Sequence, residues 1–179
     1  MSTLKPLSRL LDVETRPIEA LDVLSRQGGL FALVDACDAP EVPVMCQSLG
    51  GSHAVSLYSG DAAVAYSDVA PYLFHVDVEE VLNWLRQRFQ DVSWGLFVLA
   101  PGSDLEALRK HFRQFLIVQD PDGEKMYFRF YDPRVLSVFL PTCLSAEVRT
   151  LFGPVAAFGL VEVGRKEVCW WRELGAEGY

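Results

Sequence analysis

The side chains of this sequence that are able to do chemistry are few and scattered. Its three histidines are His53, His75 and His111, and none sits in a motif that pairs it with an activated serine or cysteine. His75 falls within the strand-like run Tyr72 to Val76, and His111 lies beside the apolar face of the helix that follows Ser103. Both places suit core or surface roles. Gly51-Ser52-His53 lacks the second glycine of a nucleophile elbow. Asp120, Asp122 and Asp132 offer oxygens of the kind a hard cation takes, yet each stands where an aspartate serves a turn or a helix cap. The doublets Gly28-Gly29 and Gly50-Gly51 lack the Lys-Ser/Thr of a phosphate-cradling loop. Cys37, Cys46, Cys143 and Cys169 form no C-x-x-C pair and read as reduced core thiols. These patterns predict no catalytic residue, no cofactor and no bound metal.

Composition narrows the remaining choices. At 179 residues, 50% hydrophobic and 12% aromatic, the chain is long and apolar enough to bury a core without disulfides or metal. A formal charge of -8 repels phosphate backbones, so nucleic acid is not an expected partner. The same charge favours basic partner surfaces. The first residues carry charges throughout and lack the apolar run of a signal peptide, which predicts a cytoplasmic location. Since no run of about 18 uncharged apolar residues occurs, no membrane span is expected.

Such a chain needs elements to hold it, and the patterns supply them. Val13, Ile18, Leu21 and Leu24 at roughly helical spacing predict a helix leading into the strand Leu30 to Asp35. Pro43 to Leu49 reads as a short helix and Val55 to Tyr58 as a short strand. Asp77 with Glu80 forms a capping-box pattern ahead of a helix whose apolar face is Val78, Val81, Leu82, Leu85 and Phe89. Trp94 to Ala100 reads as a buried strand. Ser103 with Glu106 repeats the capping pattern before Leu105, Leu108, Phe112 and Phe115, and Glu106 with Lys110 forms an i,i+4 pair.

Leu116 to Gln119 and Lys125 to Tyr131 flank Asp120-Pro121-Asp122-Gly123, a turn sequence that predicts a β-hairpin. Strand alternation would then place Met126, Phe128 and Phe130 on one side and Tyr127, Arg129 and Tyr131 on the other. Asp132-Pro133 gives an N-cap with proline at the first helical position, and Ser145 caps a further helix to Phe152. Val155 to Val163 reads as the last strand, and after Gly164 the periodicity is lost. The fold class predicted is α/β: a single mixed α/β domain with a central sheet and flanking helices over residues 1–163, then a short C-terminal tail over 164–179.

The motif order from Trp94 to Val163, above all Phe128-Arg129-Phe130-Tyr131-Asp132-Pro133-Arg134-Val135-Leu136, resembles the Tap/TEC family of type VI secretion effector adaptors. Phe31 to Asp35, Ser56 to Gly60 and Ala70 to Leu73 resemble the same family. Many of its members carry an additional C-terminal helical region, relative to which this chain is truncated soon after Trp171. The resemblance implies a chaperone or adaptor that binds the N-terminal region of a secreted toxic effector and loads it onto the VgrG spike, in some cases through a PAAR-type tip. It implies no enzymatic activity. The motif or partner-binding residues expected are Arg129, Tyr131, Asp132, Pro133, Arg134, Tyr72 and Trp84, with Arg129 and Arg134 paired to Asp132 or Asp120 if they serve the fold. A small metal-dependent hydrolase or nuclease using the aspartates, and an immunity protein, are the competing readings.

Overall fold

A computed structural model of the chain describes residues 10–37, 39–120 and 122–175. Its centre is the strand Leu30–Asp35 (here β2), all six residues of which are buried. Successive side chains point to opposite faces. Leu30, Ala32 and Val34 therefore enter one hydrophobic layer, whereas Phe31 and Leu33 enter a second.

Seven strands build the main sheet: β1 (Leu11–Pro17), β2, β3 (Ala54–Ser56), β4 (Pro71–His75), β5 (Gly95–Leu99), β8 (Ala157–Val161) and β9 (Glu167–Glu173). Their spatial order is β1-β9-β8-β5-β2-β4-β3, and every neighbouring pair is antiparallel. An antiparallel sheet often leaves one face to solvent. Here β2, β5 and β8 are buried throughout because helices cover both faces.

The first layer is covered by α1 (Leu21–Gln27), α2 (Glu41–Leu49) and α4 (Glu79–Asp91). Val81, Leu82, Leu85 and Phe89 of α4 form the apolar stripe expected of it, and all are buried. The second layer is covered by α5 (Leu105–Arg113), α6 (Pro133–Phe139) and α7 (Ser145–Phe152). Leu105, Leu108 and Phe112 of α5 face it. A short helix, α3 (Asp61–Ala65), joins β3 to β4. Between α5 and α6 lies the expected hairpin, β6 (Ile117–Gln119) and β7 (Lys125–Tyr127), which forms its own two-stranded sheet apart from the main one. The Asp120 carboxylate accepts from the backbone N–H groups of Asp122 and Glu124 at 2.9 and 2.8 Å, so it serves the turn as expected. Pro121 of that turn lies outside the described residues.

Several local expectations are corrected. Residues 11–17 form a strand rather than the start of a helix; α1 begins only at Leu21, after Pro17 and a short 3-10 turn. The segment beyond Gly164 is not irregular: β9 pairs with both β8 and β1, and Trp170 is 2% exposed in the first core layer. Asp77 caps nothing, since α4 starts at Glu79. Asp104, not Ser103, caps α5 by accepting from the Ala107 N–H at 2.7 Å. Glu106 pairs with Arg109 instead of Lys110. At α7, Leu144 holds the cap position ahead of Ser145, and its N–H donates to Glu147 at 2.7 Å. Of the four cysteines only Cys143 is buried, and Cys37 is exposed. No helix among the described residues is long and apolar enough to cross a membrane.

Candidate functional site

The string from Phe128 to Arg134 leaves the hairpin, crosses the end of the main sheet and enters α6. β7 ends at Tyr127, so strict alternation stops there: Phe130 and Tyr131 are both buried, and Phe128 is half-buried. Phe130 stacks on Phe112 of α5, with ring centroids 5.6 Å apart. Phe128 meets Phe139 of α6 edge-on at 4.6 Å. These rings fix the string and leave its polar groups to form a network over the end of β2.

Two buried carboxylates anchor that network, Asp35 and Asp132. Asp35 ends β2, accepts the Cys37 N–H at 2.9 Å and takes an ion pair from the Arg129 guanidinium. Arg129 also lies 3.9 Å from Asp132. Asp132 caps α6, accepting the Arg134 N–H at 2.9 Å. The same carboxylate receives Arg134 Nε at 3.0 Å and Nη2 at 2.7 Å, a bidentate pair. Asp132 is thus the carboxylate expected beside Arg134, and it compensates for a cation in the first turn of a helix. Burial alone would push the Asp132 carboxyl up, but the Arg134 hydrogen bonds and the Arg129 charge outweigh it and hold its pKa below the ordinary value. Burial, followed by Asp35 and Tyr58, pushes the Tyr131 phenol well above its ordinary range, so it is a neutral hydroxyl at pH 7.

The seven expected site residues do not all gather here. Arg129, Tyr131, Asp132, Pro133 and Arg134 share this corner. Tyr72 is buried on the opposite side of the sheet, its hydroxyl donating to the Ser67 carbonyl at 3.0 Å. Trp84 packs half-buried on that same side, edge-on to Phe74 and Trp94. The residue that the pattern alone missed is Asp35, which partners Arg129. Its signal is a single acid closing the otherwise apolar string Leu30 to Val34.

The network opens on accessible surface at two places. Pro133 and Arg134 line a groove of about 750 Å³ together with Leu160 of β8 and with Cys169 and Trp171 of β9. Arg134 is 67% exposed there. On the other flank the hairpin exposes Ile117, Met126 and Tyr127, and Ile117 and Tyr127 line a second groove of about 270 Å³ with Tyr58 and Tyr66. Arg109 and Arg113 of α5 hold the adjoining loop, donating to the carbonyls of Ser56 and Tyr58 and to the Ser59 hydroxyl. Burial pushes the thiols of half-buried Cys46 and buried Cys143 up to about 11, which keeps both protonated at neutral pH.

The two arginines should separate in a stability measurement. Arg129→Ala leaves the buried Asp35 without its cation and should cost about 2 kcal/mol in urea unfolding, less than a fully buried pair because Arg129 is half in water. Arg134→Ala should cost under about 1 kcal/mol, since its guanidinium is mostly solvated and Asp132 keeps its backbone cap. A larger loss for Arg134→Ala would reverse this assignment of roles.

Fold and site together define a single mixed α/β domain in which helices sandwich an antiparallel sheet, with an arginine–aspartate network set between two surface grooves. The chain belongs to the DUF4123 family, a domain of unknown function whose model matches residues 30–150. That match spans β2 through most of α7 and contains the whole network. Neither a curated protein nor a solved structure matches the chain.

Proposed function

We propose that this protein is an adaptor-chaperone which binds a secreted toxic effector and presents it to the VgrG spike of a type VI secretion system. The observation that carries the reading is the division of labour within the Phe128 to Arg134 string. Arg129 reaches in to the buried Asp35, while Arg134 is pinned by Asp132 yet remains the more exposed of the two and lines the large groove. An arginine held in one geometry and left accessible loses little side-chain entropy on binding, which suits it to a protein interface. An adaptor must contact two partners. The Arg134 groove and the exposed apolar hairpin offer two separate surfaces, and the acidic character of the chain suits basic segments of either partner.

Co-purification and calorimetry with candidate effector and spike proteins from the same genome test the proposal. The wild-type chain should bind both, and Tyr127→Asp on the hairpin should weaken one of the two contacts by about tenfold or more at unchanged melting temperature. A spike that recruits the effector equally well without this protein would overturn the reading.

A further inference from the structure

The fold brings His53, His75 and Asp77 together at the β3 edge of the sheet, although the sequence separates them. β3 and β4 pair with Ala54 opposite Phe74, and the ladder continues one step, where His75 N–H donates to the His53 carbonyl at 2.7 Å. The two histidines are therefore cross-strand neighbours. The His75 ring is held by stacking on Phe31, with centroids 4.8 Å apart. Asp77 follows two residues later. Because α4 begins at Glu79 with Val78 in the cap position, its carboxylate is not engaged by the helix and turns to the histidines. Asp77 Oδ1 lies 3.1 Å from His53 Nδ1, and Oδ2 lies 3.4 Å from His75 Nδ1.

We propose that His53, His75 and Asp77 bind a divalent late transition ion of the zinc type. One ligand atom from each residue lies within 4.8 Å of the other two, whereas ligands around tetrahedral zinc stand about 3.3 Å apart, as metal–nitrogen bonds of about 2.0–2.1 Å require. A small closure of side chains brings the three into range, with no movement of the strands. Two imidazoles with one carboxylate select zinc, nickel or cobalt over magnesium or calcium, which prefer all-oxygen shells. Each side chain is about one-third exposed (36, 29 and 32%), so an ion reaches the site from solvent and retains an open position for water or for a donor from outside the chain. The bound ion would tie the edge strand β3 to β4 and to the start of α4.

The test is titration of the full chain, stripped with chelator and kept reduced, with zinc chloride in a calorimeter, alongside the electronic absorption of the cobalt-loaded protein. One saturable site per chain is expected, with a cobalt spectrum that lacks thiolate charge transfer and a higher melting temperature with zinc. His53→Gln and Asp77→Asn, both at partly exposed positions, should keep the fold in the absence of metal and weaken zinc binding by about tenfold or more. Absence of saturable binding overturns the proposal. So does an affinity unchanged in both variants, which places the ion elsewhere on the chain, or a thiolate band in the cobalt spectrum, which places it on cysteine.

Discussion

Trp170→Ala is expected to lower stability by about 3–5 kcal/mol, the range for deleting a buried aromatic side chain, and on an ordinary single domain this is a large share of the total. The indole is 2% exposed and sits in the same layer as Ala157, Val161 and Val168. It also overlies Gly159 of the paired strand, where an added Cβ would come within 2.7 Å of the ring. The cavity left by alanine is lined by strand residues that cannot collapse into it without bending the sheet. Trp171, one residue on, faces the other layer and is only half-buried, so Trp171→Ala should cost distinctly less. Chemical denaturation of the two variants checks the order. Equal and small losses would mean that β9 contributes little to the folded core.

Gly95→Ala should be more disruptive than its single added methyl suggests, costing more than about 3 kcal/mol, beyond the usual 1–3 kcal/mol of overpacking. Gly95 opens β5 opposite Val34 of β2. A Cβ there would lie 2.1 Å from the Leu33 carbonyl oxygen and 2.8 Å from the Phe89 ring. The ring can turn aside, but the carbonyl belongs to the backbone of the central strand and can yield only if β2 and β5 separate. Adding Phe89→Leu should therefore fail to restore the stability of Gly95→Ala. Full rescue by that second change would show that the ring, and not the backbone, sets the limit. Thermal unfolding of the single and double variants decides between them.

Much of this architecture was legible because the signals were local. The stripe of α4, the hairpin turn around Asp120 and Gly123, and the Asp132-Pro133 cap each lie within a few consecutive residues, and each forms as its pattern requires. What escaped depends on distant pairing. Val13, Ile18, Leu21 and Leu24 stand at helical spacing, but Pro17 and the long-range ladder to β9 draw residues 11–17 into β1, and only Leu21 and Leu24 end up helical. An edge strand of mixed burial has no alternation strong enough to announce itself. β9 was hidden for the related reason that Trp170 and Trp171 face opposite layers, so the segment reads as charged and aromatic without period.

The site followed the same division. The bond between Arg134 and Asp132 spans two residues and could be anticipated. Arg129 with Asp35, and His53 with His75 and Asp77, join residues that only the sheet brings close. For Asp77 the local rule was also misleading: a good capping residue stood one position ahead of the cap of the helix that formed, which is Val78.

The pairing of β1 with β9 also has a consequence for biosynthesis. Leu11 lies opposite Glu173 and Pro17 opposite Glu167, so β1 has no partner in the sheet until β9 has left the ribosome. Contacts this distant in sequence slow folding. Until β9 emerges, the nascent chain thus carries an unpaired segment at residues 11–17 and an unfilled place in the core where Trp170 will sit.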